Sequence, residues 1–195
     1  MYPSRNLFTF SNGIQISSNY DGGNLLKCCE SSASKKWICE KIFNKVNEKL
    51  ETYYTYEMHI CPDSWPYLPE TSAGRAGFFF DVTGIPEASK KFDEELKCEV
   101  FEPRTLRLHF KNMSNQAKLM SYGHMPVYLE VNHQDYLKLT KGQLPFYRQK
   151  WKRVPGEMDY SKGEEGLEAI FHFNLKNSFK TDDHVFLAYI YPYNF

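Results

Sequence analysis

The sequence predicts a mainly β protein: an antiparallel β-sandwich of about nine strands with one inserted amphipathic helix. Aromatic residues make up 16% of the 195 residues, with 15 Phe and 14 Tyr, and these residues favour pleated, half-buried surfaces. Several segments alternate apolar and polar residues, which is the two-residue period of a strand. No strand–helix–strand rhythm indicates a parallel sheet. The length fits a single domain over residues 1–195.

A hairpin is predicted at the start of the chain. Its strands are Leu7–Phe10 and Ile14–Ser17, and Asn12-Gly13 lies between them. Asn-Gly between β-rich runs is a strong hairpin signal because both residues tolerate positive φ. A second tight turn is predicted at Asp21-Gly22-Gly23-Asn24.

The inserted helix is predicted at about 34–50, with Ser34 as its N-cap. Apolar residues recur there every four positions, with Lys and Glu between them, and this indicates one apolar stripe. The stripe consists of Ile38, Ile42, Val46 and Leu50. Such a helix packs on its own sheet or binds a partner, and the pattern leaves both open.

The other strands alternate with loops. A loop is expected at 62–77, where Pro and Gly are frequent, and an exposed acidic insertion with one or two helical turns at about 87–102. The last strand is apolar on both faces, so we expect its outer face to be covered by this chain or by a partner. The predicted strands are Thr52–Ile60, Gly77–Val82, Thr105–Phe110, Met125–Val131, Phe146–Val154, Leu167–Leu175 and His184–Tyr191.

Charge and cysteine content exclude several classes of protein. Basic and acidic residues both number 24, so a globally basic nucleic-acid binder is not expected. No apolar run has the length of a membrane span, and no signal peptide is recognised at the start. The 5 cysteines are odd in number and lack Cys-x-x-Cys spacing. We therefore expect free thiols in a cytoplasmic, reducing compartment, with neither nucleic acid nor membrane as a partner.

Motifs for catalysis are not found in the sequence. No histidine is followed three positions later by Glu, which is the spacing of a zinc carboxypeptidase ligand pair. The reversed spacing occurs at Glu130-x-x-His133, but residues three apart on a strand face opposite sides. A Gly-x-Ser-x-Gly elbow and a phosphate-binding loop are also missing. No catalytic, cofactor-binding or metal-ligating residue is therefore assigned to this chain.

One charged segment stands out between Tyr136 and Val154, which holds six Lys and Arg residues and no Asp or Glu. Such a segment creates a local field that attracts anions. Lys150 and Lys152 are expected on one strand face, with Trp151 and Arg153 on the other. An alternative is an edge strand that lysines protect from aggregation. The candidate residues for binding an acidic peptide are Arg148, Lys150, Lys152 and Arg153.

Five sequence blocks resemble the amino-terminal β-sandwich domain of cytosolic carboxypeptidases, a zinc metallocarboxypeptidase family. Each block is short, and the resemblance lies in their order along nearly the whole chain. A sixth block, Tyr122–Val127, departs from the family pattern because His124 separates Gly123 from Met125, which directly precedes Pro126. The matching blocks are residues 6–26, Phe78–Gly84, Leu108–Leu119, Trp151–Val154 and Ala188–Phe195.

The resemblance implies a parent enzyme that removes glutamates from tubulin tails, a protein deglutamylase. In such an enzyme this domain would pack in cis on a catalytic domain, which is expected outside this chain and would hold the zinc. The domain would help to hold glutamylated tubulin or other acidic protein tails, in the cytoplasm and in association with microtubules or cilia. An alternative is a stand-alone, non-catalytic binding module, for instance one associated with microtubules. The reading frame beyond Phe195 would distinguish the two.

Overall fold

The computed structural model describes residues 6–19, 23–42, 45–62, 74–86, 90–93, 98–101, 104–114, 116–139, 150–176 and 178–191. These ranges contain two short helices, α1 (Ala117–Ser121) and α2 (His133–Leu139). The strands within the same ranges are β1 (Leu7–Thr9), β2 (Gln15–Ser17), β3 (Leu25–Ile42), β4 (Lys45–Ile60), β5 (Phe79–Thr83), β6 (Lys90–Asp93), β7 (Cys98–Phe101), β8 (Thr105–Met113), β9 (Val127–Val131), β10 (Lys152–Arg153), β11 (Asp159–Lys162), β12 (Leu167–Asn174) and β13 (His184–Ala188).

Two sheets pack face to face. A six-stranded sheet has the order β1-β2-β5-β13-β9-β10, and a five-stranded sheet has the order β11-β12-β8-β4-β3. Residues of both sheets form one shared core. The predicted mainly β sandwich is therefore confirmed, and its two sheets hold more strands than the nine or so expected.

One strand pair departs from the expected antiparallel arrangement. β4 runs parallel to β8, with Tyr54 opposite Leu106 and Met58 opposite Phe110. Between these two strands the chain contributes β5 to the other sheet, so it returns by a crossover rather than by a tight hairpin. The Asn112 side chain extends the pairing, because its amide accepts from the Ile60 N–H at 2.9 Å and donates to the Ile60 carbonyl at 3.0 Å.

The helix predicted at 34–50 is wrong. Apart from 43 and 44, which the structure does not describe, these residues belong to β3 and β4, which pair antiparallel as far as Ile42 opposite Lys45. The predicted stripe repeats every four residues, and four is a multiple of the two-residue strand period as well as close to 3.6. A helical stripe also needs apolar residues at the i+3 positions. Those positions are Lys41, Lys45 and Lys49.

The acidic segment at 87–102 is also corrected. It contains no helical turn within its described residues, where β6 and β7 pair antiparallel with Lys90 opposite Phe101 and Asp93 opposite Cys98. A two-stranded ribbon pairs the hydrogen-bonding groups of its backbone without needing an apolar stripe. The high charge content of this segment therefore did not exclude a ribbon.

The first hairpin is confirmed. β1 pairs antiparallel with β2, and Phe8 lies opposite Ile16. Gly13 has a φ of 85°, which favours glycine at this position. Asn12 fixes the turn by donating from its side chain to the Tyr56 hydroxyl at 2.9 Å. Half of the predicted turn at 21–24 and most of the loop at 62–77 lie outside the described residues, so these stay predictions.

Three phenylalanine rings stack at the centre of the core. The Phe78 ring stacks on Phe110 with centroids 4.1 Å apart, and Phe110 stacks on Phe171 at 6.1 Å. All three are buried, and they join the two sheets through the centre of the sandwich. Stacked aromatic pairs add to the free energy gained from the buried area itself.

A second, smaller cluster covers the outer face of the six-stranded sheet. Its buried members are Leu129, Val131 and Phe186, and Tyr136 of α2 and Trp151 pack against them. All of β13 is buried, on both faces. Of the two alternatives for this face, the structure supports coverage by another element of the same chain.

Candidate functional site

The basic residues predicted to bind acidic peptides lie at one edge of the six-stranded sheet. β10 is the last strand in the described order of that sheet, and Lys152 and Arg153 form it. Lys150 comes just before the strand and, like Lys152 and Arg153, is exposed. Arg148 lies outside the described residues. The strand thus lies at a sheet edge, as expected if its lysines protect an edge strand from aggregation. The same position is also compatible with binding of an acidic peptide.

Backbone contacts orient β10. Lys152 lies opposite Tyr128 and Arg153 opposite Val127, and the Val154 N–H donates to the Pro126 carbonyl at 2.8 Å. Backbone groups alternate in direction along a strand, so those of Arg153 point away from β9. The N–H and C=O of Arg153 are thus directed away from β9, the neighbour of β10 in the described sheet.

The side chains around β10 divide between two faces. Lys152 lies over the Tyr128 ring, with its Nζ 6.0 Å from the ring centroid. Trp151 lies on the opposite face, where its ring centroid is 6.2 Å from that of Phe79. The Arg153 guanidinium donates to the Met125 carbonyl at 3.1 Å, which anchors it at the sheet edge. The predicted separation of Lys152 from Trp151 is therefore confirmed.

Lys150 does not follow the predicted alternation, because it precedes the strand. Its charge acts on Asp135 of α2, whose pKa is lowered mainly by a hydrogen bond from Lys138 and to a smaller extent by the charge of Lys150. Lys150 is therefore near enough to α2 for its charge to act on Asp135. The basic segment presents its charges in more than one direction.

A cluster of three charged residues joins the two sheets, and no sequence pattern indicated it. Glu130 of β9 accepts a hydrogen bond from Lys176 Nζ at 2.6 Å, and Lys152 Nζ lies 3.8 Å from the same carboxylate oxygen, Oε2. The hydrogen bond from Lys176 to Glu130 raises the pKa of the Lys176 ammonium. Because two cations share one carboxylate, the cluster keeps one net positive charge. We refer to Lys152, Glu130 and Lys176 as the edge cluster.

The Tyr128 ring, over which Lys152 lies, contacts a second aromatic ring. Tyr128 of β9 contacts Phe173 of β12 edge to face, with centroids 5.0 Å apart. This contact joins the margins of the two sheets near Lys152 and Lys176. No motif in the sequence brings Lys176 to this position, because it follows β12 and belongs to the opposite sheet.

The two residues of the Glu130-x-x-His133 spacing have different partners. The Glu130 carboxylate is occupied by the two lysines, whereas His133 starts α2 and its backbone N–H donates to Asp183 at 3.3 Å. Among the described residues there is no group of three or more His, Cys, Asp or Glu side chains that could hold a metal ion.

Besides the pair of His59 and Glu165, which are 3.0 Å apart, two histidine–carboxylate pairs lie away from the edge cluster. His184 Nδ1 and Asp81 Oδ2 are 2.8 Å apart and buried, and the Tyr136 ring stacks on His184 with centroids 3.5 Å apart. On the outer face of the five-stranded sheet, Glu168 bonds His109 at 2.8 Å and Lys111 at 2.7 Å. Both pairs are satisfied by their own neighbours.

The cysteines that the structure describes are free thiols, as predicted. Cys28 and Cys61 are buried and Cys29 is exposed. Burial, followed by the neighbouring Cys29, raises the pKa of the Cys28 thiol. A thiol with a raised pKa is a poor nucleophile, so Cys28 is a core residue.

A scan against protein-family models matches no family, and a search of curated proteins finds no match. Within the described ranges, neither of the two helices has the length and apolar character needed to cross a lipid bilayer.

Proposed function

We propose that this chain is a non-catalytic domain that binds acidic protein tails, and that it serves as the accessory, substrate-positioning domain of a zinc metallocarboxypeptidase that removes glutamates from tubulin. The observation that carries the proposal is the exposed basic edge formed by Lys150, Lys152 and Arg153. Zinc and the catalytic residues belong, in this proposal, to a peptidase domain of the parent protein.

The geometry of the edge supports a tail as the ligand. An extended acidic chain can lie along an edge strand, where the outward backbone groups of Arg153 are placed to pair with it. The charge of Lys150 acts on Asp135 of α2, whereas Lys152 shares Glu130 with Lys176, which follows a strand of the five-stranded sheet. A tail with several carboxylates reaches both, whereas a single small anion meets one of them.

The order of the sequence blocks supports the choice of enzyme family. The fold that the resemblance implies, a β-sandwich, is the fold observed. Sandwich folds host many functions, so the fold alone does not select this one. The basic edge and the motif order together favour the accessory domain of a deglutamylase.

Binding of a labelled oligoglutamate peptide tests the proposal. We expect micromolar binding at low salt that weakens steeply as salt rises, because charges exposed to solvent are screened beyond about 8–10 Å. Charge reversal at Lys152 or at Arg153 should each weaken binding, and the combined variant should weaken it further. Reversal at Lys118 of α1, an exposed lysine elsewhere on the molecule, is the matched control.

Two results would contradict the proposal. One is the lack of binding to the wild-type chain at low salt. The other is an equal loss of affinity in the edge variants and in the Lys118 control, which would leave the lysines as protection of an edge strand. Thermal unfolding of each variant should be measured first, to establish that the sandwich is intact.

A further inference from the structure

We infer that Glu130 occupies the position of a ligand carboxylate and competes with acidic tails for Lys152 and Lys176. This inference rests on the proposed function and names the part of the basic edge that would receive one glutamate of the tail. It makes Glu130 a residue that limits affinity, and it adds Lys176 to the binding surface.

The contacts of Glu130 match those that an incoming glutamate would make. Its Oε2 is 2.6 Å from Lys176 Nζ and 3.8 Å from Lys152 Nζ. A glutamate of a tail carries the same carboxylate, so it can bind the same pair of ammonium groups.

The exposure of the three side chains allows exchange. Lys152 and Lys176 are 55% and 48% exposed, whereas Glu130 is 24% exposed. Pairs of charges at a surface are weak because water solvates both partners. An external carboxylate can therefore displace Glu130 without unfolding any element of the sandwich.

Packed residues of both sheets hold the backbone positions of Lys152 and Lys176. Lys152 extends from β10 over the Tyr128 ring, and Lys176 directly follows Leu175, which is buried in the core. The contact between Tyr128 and Phe173 links the two sheets beneath them. The backbone positions of the two lysines are thus kept when Glu130 is replaced, so both ammonium groups remain within reach of one anion.

The test compares Glu130→Gln with Glu157→Gln in the 195-residue chain. Glu157 is exposed in the segment that follows β10, so the control changes net charge by the same amount in the same region. With a labelled oligoglutamate peptide at low salt, we expect Glu130→Gln to raise affinity about two- to fivefold. Glu157→Gln should raise it less. Adding Lys176→Gln to Glu130→Gln should remove the gain.

Lysine footprinting supplies a second measurement. Acetylation of the chain with and without the peptide should show Lys152 and Lys176 protected, and protection should be stronger in Glu130→Gln than in the wild type. Lys118 should be modified equally in all samples. Circular dichroism and thermal unfolding establish that each variant is folded.

The outcomes separate this inference from the proposed function. Wild-type binding that falls on reversal of Lys152 or Arg153, with equal effects of Glu130→Gln and Glu157→Gln, overturns the role of Glu130 and leaves the proposed function standing. Lack of binding by both the wild type and Glu130→Gln overturns both. Binding that appears in Glu130→Gln and disappears with Lys176→Gln supports the inference even if the wild type binds weakly.

Discussion

The outer faces of the two sheets differ in what lies over them. On the six-stranded sheet, β13 is buried along its whole length, because α2 and Trp151 pack on its outer side. On the five-stranded sheet, β8 alternates between buried and half-buried residues, and its outward side chains form ion pairs near the solvent. A strand that is apolar on both faces therefore indicates a third layer, whereas an alternating strand indicates a face turned to water.

Removal of an apolar side chain from the covered face should have the largest effect. Phe186→Ala is expected to lower the free energy of unfolding by about 3–5 kcal/mol, because a buried ring is lost and a cavity remains. Ile170→Ala, on the outward side of β12, is the control and should cost less because Ile170 is half-buried. Urea denaturation measures both, and equal losses would contradict the difference between the faces.

The polar pair under α2 should have an intermediate effect. Asp81→Ala is expected to cost about 1–3 kcal/mol, because it leaves a buried ring nitrogen of His184 without its partner. His184→Ala and the double variant complete a double-mutant cycle. The double variant should lose less free energy of unfolding than the sum of the single variants, and simple additivity would show that the pair is not coupled.

The ion pairs on the open face should have the smallest effect. Glu168→Gln is expected to cost at most about 1 kcal/mol at neutral pH, because surface pairs contribute little. Hydrogen bonds from Lys111 first, and then from His109, lower the pKa of Glu168. A carboxyl with a lowered pKa stabilises the folded state above its ordinary pKa of about 4.3, and this stabilisation is lost as pH falls through the folded value.

The difference in unfolding free energy between the wild type and Glu168→Gln should therefore shrink as the solution is made more acid. Unfolding curves from neutral to acid pH measure it. Glu164→Gln, in the turn that precedes β12, is the control for the loss of one carboxylate. A difference that stays constant down to strongly acid pH would exclude a role for this ion pair.

Much of the fold could be predicted from periodicity. β8 and β12 were recognisable because apolar residues alternate along them, and β13 because both of its faces are apolar. The long β3–β4 hairpin was mistaken for a helix because a spacing of four fits both periods. The Lys residues at the i+3 positions were the signal that could have corrected this interpretation.

The candidate site was predictable only in part. The run of basic residues placed Lys152 and Arg153 on a strand, and the structure puts that strand at a sheet edge. The contact between Lys176 and Glu130 joins residues 46 positions apart and forms where the margins of two sheets meet. No local pattern encodes such a contact, because it depends on how the sheets stack.

The parallel pairing of β4 with β8 has a consequence for the order in which the chain folds. The contact between Ile60 and Asn112 spans 52 positions, so a long loop must close before the strands can exchange hydrogen bonds. Pairs within hairpins, such as β1–β2 and β11–β12, close short loops and can form early. Contacts distant in sequence slow folding, and this topology therefore places completion of the five-stranded sheet late in the folding reaction.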